Sequence, residues 1–171
     1  MRKLAVAALT SLAAFCAHAQ LSIEITGAGA NRIPIAIAPF ASEAALPVPA
    51  PGGTVSVTAI VRADLERSGL FRTLELPPLV PQPTESSSVN FAEWKARLAD
   101  ALVVGSIAAR PDGRFEVRFR LYDVVKQAAV AGVAYTVSKE QLRATAHRIA
   151  DTIYEKLTGE KGVFSTRIAY V

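Results

Sequence analysis

Hydrophobic and polar residues alternate first in "LSIEIT", where Leu21, Ile23 and Ile25 fall on one side and Ser22, Glu24 and Thr26 on the other. Alternation with period two is the mark of a strand with unlike faces. The same period returns in "NRIPIAIAPF", where Ile33, Ile35 and Ile37 alternate, and Pro34 places the start of that strand near an edge. Residues 41–53, rich in Ala and Pro and closed by Gly52-Gly53, read as a loop. The period then changes to that of a helix in "TVSVTAIVRADLERSG": Val57, Ile60, Val61 and Leu65 share one face, and Gly69 is a suitable stop. "LFRTLEL" reads as a short strand, and "PPLVPQPTESSSV", with four prolines and three serines, as a loop.

A second helix is expected from Asn90, capped by the Asn90 side chain and closed by Glu93, with Trp94 and Leu98 turned to the core. "ALVVGSIAA" is a continuous apolar run of strand length, which predicts a central strand buried on both faces. "RPDGR" marks a tight turn, because Asp-Gly tolerates positive φ. In "RFEVRFRLYDV", Phe115, Val117, Phe119 and Leu121 point one way and Arg114, Glu116, Arg118 and Arg120 the other, a strand with one wet face. "AAVAGVAYTV" pairs back on it after a turn near Lys126-Gln127. The last helix opens with a capping box of Ser138 and Gln141 and carries the stripe Leu142, Ala146, Ile149, Ala150, Ile153 and Leu157 up to Gly159. "VFSTRIAYV" reads as a final strand with no partner in this sequence. The order β(β)αβαβββαβ predicts one α/β (α+β) domain, a mixed β-sheet packed against about three helices.

The first 19 residues change the picture of where this domain works. Arg2 and Lys3 are followed by an apolar run of 12 residues, Leu4 to Phe15, and Ala17-His18-Ala19 is a small-x-small site, so cleavage is expected between Ala19 and Gln20. The run is short for a bilayer span, and no stop-transfer pattern favours an uncleaved anchor. Ala13 and Phe15 do not fit a lipidation signal at Cys16, the only cysteine. The remaining 152 residues have no cysteine and depend on a packed core, which this length can supply. Without Arg2 and Lys3, 17 basic residues face 15 acidic ones, and no basic run or interleaved aromatic stripe points to nucleic acid.

Candidate chemistry is sparse. His147 is the one histidine left after cleavage, and the simplest reading is a surface or half-buried structural residue; no metal-ligand spacing surrounds it. "PGGTVS" lacks the lysine and spacing of a phosphate loop, and "VVGSIAA" is not a hydrolase elbow. Asp64, Glu66, Asp112 and Glu116 read as scattered on turns and wet faces, with nothing to bring an acid and a base together. Arg110, Arg114, Arg118 and Arg120 form either a patch for an acidic partner or an ordinary solvated strand face, and the second is the simpler reading. No catalytic residue, metal or cofactor is expected, and no small-molecule substrate. The segment Gln20–Thr26 is the remaining candidate. It can add to a partner's sheet edge, where main-chain hydrogen bonds give affinity and side chains give register, or it can be the first strand of the domain's own sheet. Gly27 and Gly29 in the following Gly/Ala run provide a hinge.

The ending "TIYEKLTGEKGVFSTRIAYV", Thr152 to Val171, resembles the end of the N-terminal domain of the TolB family of the Tol-Pal system. "PIAIAPF" at 34–40, "DLERSGLF" at 64–71, "VVGSI" at 103–107, "DGRFEVRFRLYDV" at 112–124 and "LRATAHRIADTIYEKLTG" at 142–159 resemble it in the same order. The resemblance implies a fold similar to the anticodon-binding domain of some tRNA synthetases, without implying tRNA binding. It divides the chain into a signal peptide (1–19), a partner-binding strand and leash (20–31), the α/β domain (32–162) and the start of a β-propeller (163–171). It implies a non-enzymatic periplasmic interaction module of the Tol-Pal complex. Gln20, Leu21, Ser22, Ile23, Glu24, Ile25 and Thr26 would bind the C-terminal domain of TolA. Pal would bind only a propeller that this sequence does not contain. The implied roles are outer-membrane integrity, cell division and exploited colicin import. The other reading is a related α/β domain of an outer-membrane assembly or peptidoglycan-synthase activator factor.

Overall fold

The computed structural model describes residues 32–76 and 89–166. Five strands form one sheet in the order β4-β1-β5-β6-β7. They are β1 (Ile33–Ile37), β4 (Phe71–Thr73), β5 (Ala101–Ala109), β6 (Phe115–Asp123) and β7 (Ala128–Val137). β1 runs parallel to both β4 and β5, whereas β5, β6 and β7 are a meander of antiparallel pairs. The expected mixed sheet is therefore present, with the apolar run 101–109 at its centre. Pro34 does not mark an edge: β1 lies between β4 and β5, and the proline is tolerated because it stands near the strand's beginning, ahead of the first β1–β5 pair, Ile35 with Ala101.

Period two sorts the core into two layers. Ile35, Ile37, Val103, Ile107, Val117, Phe119 and Leu121 face helices α1 (Val57–Arg67) and α3 (Leu142–Thr158). Ala36, Ala38, Leu102, Val104 and Tyr122 face the other way, onto Trp94 of the short helix α2 (Phe91–Ala96). Helix α1 buries Val57, Ile60, Val61 and Leu65, as its stripe predicts, and Gly69 follows it with φ 76°. Helix α3 buries Leu142, Ala146, Ile149, Ala150 and Ile153, with Leu157 partly buried, and stops at left-handed Gly159. The Ser138–Gln141 box is present, with Gln141 accepting from the Ser138 amide at 3.0 Å, but it opens a 3-10 turn, Lys139–Gln141, ahead of α3. Gly105 is required where it stands: a Cβ there would lie 2.6 Å from the Phe40 ring and 2.7 Å from the Arg118 carbonyl oxygen.

Four expectations are corrected. Residues 41–53 are not simply a loop. They hold a 3-10 turn (Glu43–Ala45) and most of a hairpin, β2 (Val48–Ala50) with β3 (Gly53–Val55). Pro and Ala disguise that ribbon, yet Val48 is fully sunk into the core. Leu98 does not face the core: α2 ends at Ala96, Leu98 takes φ 61°, and its side chain is 72% exposed. Asn90 does cap α2, accepting from the Glu93 amide, but Glu93 does not close the box; its carboxylate takes Arg97 at 2.7 Å instead. The terminal strand is not seen in the described part of 163–171. Residues 163–166 form a turn on α3, where Asp151 accepts from the amides of Phe164 (2.7 Å) and Ser165 (3.1 Å) and the Phe164 ring meets Tyr154 edge-on.

Candidate functional site

The expected partner strand Gln20–Thr26, its hinge glycines Gly27 and Gly29, and the cleavage pair Ala19 and Gln20 lie outside the described residues. What the structure places is the base from which that segment departs. The chain enters the sheet at β1, an interior strand, where the Ile33 amide donates to the Leu70 carbonyl at 2.8 Å.

The arginines of the β5–β6 turn and β6 lie on one outer face of the meander, with acids between them. Arg110 pairs with Glu116 at 2.8 Å, Arg114 with Asp112 at 2.8 Å, and Arg118 with Glu116. The hydrogen bond from Arg118 holds the Glu116 carboxyl below the usual carboxylate range, and that from Arg114 does the same for Asp112. Arg120 has no ion pair among the described residues. Beyond it lies the outer edge of β7, which carries no further strand among the described residues.

Asp64 and His147 are brought together, contrary to the reading of Asp64 as a wet-face residue. Asp64 sits on the buried stripe of α1, at 2% exposure, with one carboxylate oxygen 2.5 Å from His147 Nδ1 of α3 and the other accepting from Arg67 at 3.0 Å. The signal was present in the spacing: position 64 follows Ile60 by four and Val61 by three, which puts an acid on an apolar face. A cavity of about 190 Å³ opens beside the pair, lined also by Ala59, Ile60, Ala63 and Arg143. The Asp64–His147 contact stitches α1 to α3 across the mouth of this cavity. A second buried acid, Glu43, is likewise engaged: it accepts from the Thr58 amide (3.0 Å) and hydroxyl (2.9 Å) at the start of α1. Among the described residues no group of three His, Cys, Asp or Glu could hold a metal ion, and no helix is long and apolar enough to cross a membrane.

Comparison with known proteins agrees with the resemblance in the sequence. The sequence model of the TolB amino-terminal domain matches residues 21–130. The chain belongs to the TolB amino-terminal domain family. A Tol-Pal system protein TolB from Dechloromonas aromatica is 56% identical over 170 residues, which cover 99% of this chain and 38% of that protein. One from Nitrosomonas europaea is 55% identical over 154 residues, covering 90% of this chain and 34% of that protein. The crystal structure of TolB from Acinetobacter baumannii matches with a TM-score of 0.61 and 32% identity, over 78% of this chain and 30% of the other. The mixed sheet and its helices are thus the TolB amino-terminal fold, and the chain spans less than two fifths of the length of these curated relatives.

Proposed function

We propose that this chain is the first domain of a periplasmic Tol-Pal connector, a protein-interaction module without catalytic chemistry. In this reading residues 1–19 direct export, Gln20–Thr26 is offered as a strand to the C-terminal domain of TolA, and Gly27 and Gly29 let it reach. Leu21, Ile23 and Ile25 are the anchors that set register, and main-chain hydrogen bonds carry the affinity. Residues 32–162 are the platform, and the residues from 163 onward lead toward a propeller that would hold any Pal site. The module then serves outer-membrane integrity and cell division and is open to exploitation by imported colicins. The observation that carries the reading is the 56% identity, over 99% of this chain, to a protein named Tol-Pal system protein TolB.

The test is a calorimetric titration of the mature chain, beginning at Gln20, with the TolA C-terminal domain. Ile23→Asp is run in parallel, and both proteins are melted. Binding by the parent, at least tenfold weakened binding by Ile23→Asp, and equal melting temperatures support the reading. No binding by the parent, or a variant that melts far below it, makes the segment structural and removes the partner assignment.

A further inference from the structure

Among the described residues the outer side of β7 is an unpaired sheet edge, interrupted only by a bulge at Val130 near the strand's start. Strand edges are normally blunted by lysine, proline or an inward charge. β7 reads AAVAGVAYTV, with no charge and no proline, and its register with β6 is unbroken from Ala131 to Val137. The opposite edge of the sheet, β4, has three residues and includes Arg72.

The two faces beside this edge differ. On the helix side Val133 and Tyr135 pack against the core but remain half-exposed, so apolar side chains from an added strand would complete their cover. On the other side the residues facing Arg120 and Arg118 are Gly132 and Ala134. A Cβ at Gly132 would sit 3.7 Å from Cγ of Arg120, so the arginine stem rests over the glycine and no side chain stands between it and the edge. Arg118, already bonded to Glu116, lies next to it on the same face. Together these residues border an open groove of about 590 Å³ running along 129–134.

We propose that the β7 edge is a docking site for an extended segment of another protein, apolar on one side and acidic on the other. The segment adds as a sixth strand: its apolar side chains cover Val133 and Tyr135, and its carboxylates lie beside Arg120 and Arg118. Backbone pairing supplies the common affinity, and the arginines select the charge. The proposal does not depend on whether residues 20–26 bind TolA.

The probes are two seven-residue peptides, one alternating Val and Glu, the other Val and Lys, titrated into the mature chain and followed by amide NMR and hydrogen exchange. The Val/Glu peptide is expected to shift and protect amides within 128–137 and to bind at least tenfold more tightly than the Val/Lys peptide. Arg120→Glu should erase that preference, and Arg118→Glu with Arg120→Glu should reverse it; Arg120→Glu alone serves if the double variant melts early. Equal binding of both peptides, no binding, or shifts confined to another surface overturns the proposal. So does protection of the β7 edge without peptide that disappears in Ile23→Asp, which would give the edge to this chain's own segment. Protection that rises with protein concentration would give it to a second copy and likewise overturns the assignment.

Discussion

His147 Nδ1 lies 2.5 Å from the buried Asp64 carboxylate, joining α3 to α1 across 83 positions of sequence. A buried acid is stable only while its oxygens are engaged. Arg67, the second partner, has a side chain 71% exposed and holds one oxygen only. His147→Ala therefore leaves half of a buried carboxylate unpaired and should cost about 1–3 kcal/mol. Asp64→Asn, which keeps the shape and one acceptor, should cost less. Urea melts of both variants check the order; a His147→Ala variant as stable as the parent would remove the stitch from the account of stability.

Gly105→Ala should destabilise although alanine is the milder residue in a strand. The added methyl meets the Phe40 ring and the Arg118 carbonyl at once, and the second is backbone that cannot rotate away. Overpacking of this kind costs about 1–3 kcal/mol. Thermal melting reads it directly, and truncating Phe40 to leucine in the same chain should recover only part of the loss.

The turn after α3 hangs on one carboxylate. Asp151→Ala removes the acceptor for Phe164 and Ser165, and Gly162→Ala would drive a methyl to 2.5 Å from the Asp151 Cα. Either change should speed amide exchange at Phe164 and Ser165 by tenfold or more while amides of β5 stay protected. Equal exchange in parent and Asp151→Ala would mean that ring packing on Tyr154 suffices.

Acid should loosen the meander before it melts the sheet. Glu116 and Asp112 are held below the ordinary range by the arginines bonded to them, and Asp123 chiefly by the Lys126 amide. A depressed carboxylate contributes stability above its unfolded pKa and loses it as pH falls through the folded one. The contribution is thus complete at neutral pH and fades below about pH 4. Amide exchange at the 110–114 and 124–127 turns, followed from pH 6 to pH 3, should accelerate ahead of β1, and Glu116→Gln should flatten that dependence at the first turn.

What was legible in the sequence was whatever burial wrote with a period. Ile33, Ile35 and Ile37 and the stripe of α3 each turn one face to the core, the run 101–109 is covered on both faces, and each lies where the pattern placed it. The failures share a different physics. The β2–β3 ribbon has only Val48, Thr54 and Val55 as strand formers among Pro, Ala and Gly, too short a run to show a period. Leu98 follows Trp94 by one helical turn, but the helix had already ended, and a left-handed residue turned the side chain outward. The charge of Asp64 by itself implies solvent; its partner is 83 residues away, and no local pattern announces a tertiary pair. The alternation of residues 20–26 reads as a strand, yet nothing in that segment names the edge such a strand would join.

The way the chain enters the sheet has a mechanical consequence. A tug on the residues before Ile33 reaches β1, which is hydrogen-bonded to parallel neighbours on both sides, β4 and β5. Force along that strand slides it lengthwise, so the bonds on both flanks share the load together instead of opening one by one as at a peeled edge. Lengthwise load on β1 is thus divided between its two flanks, β4 and β5.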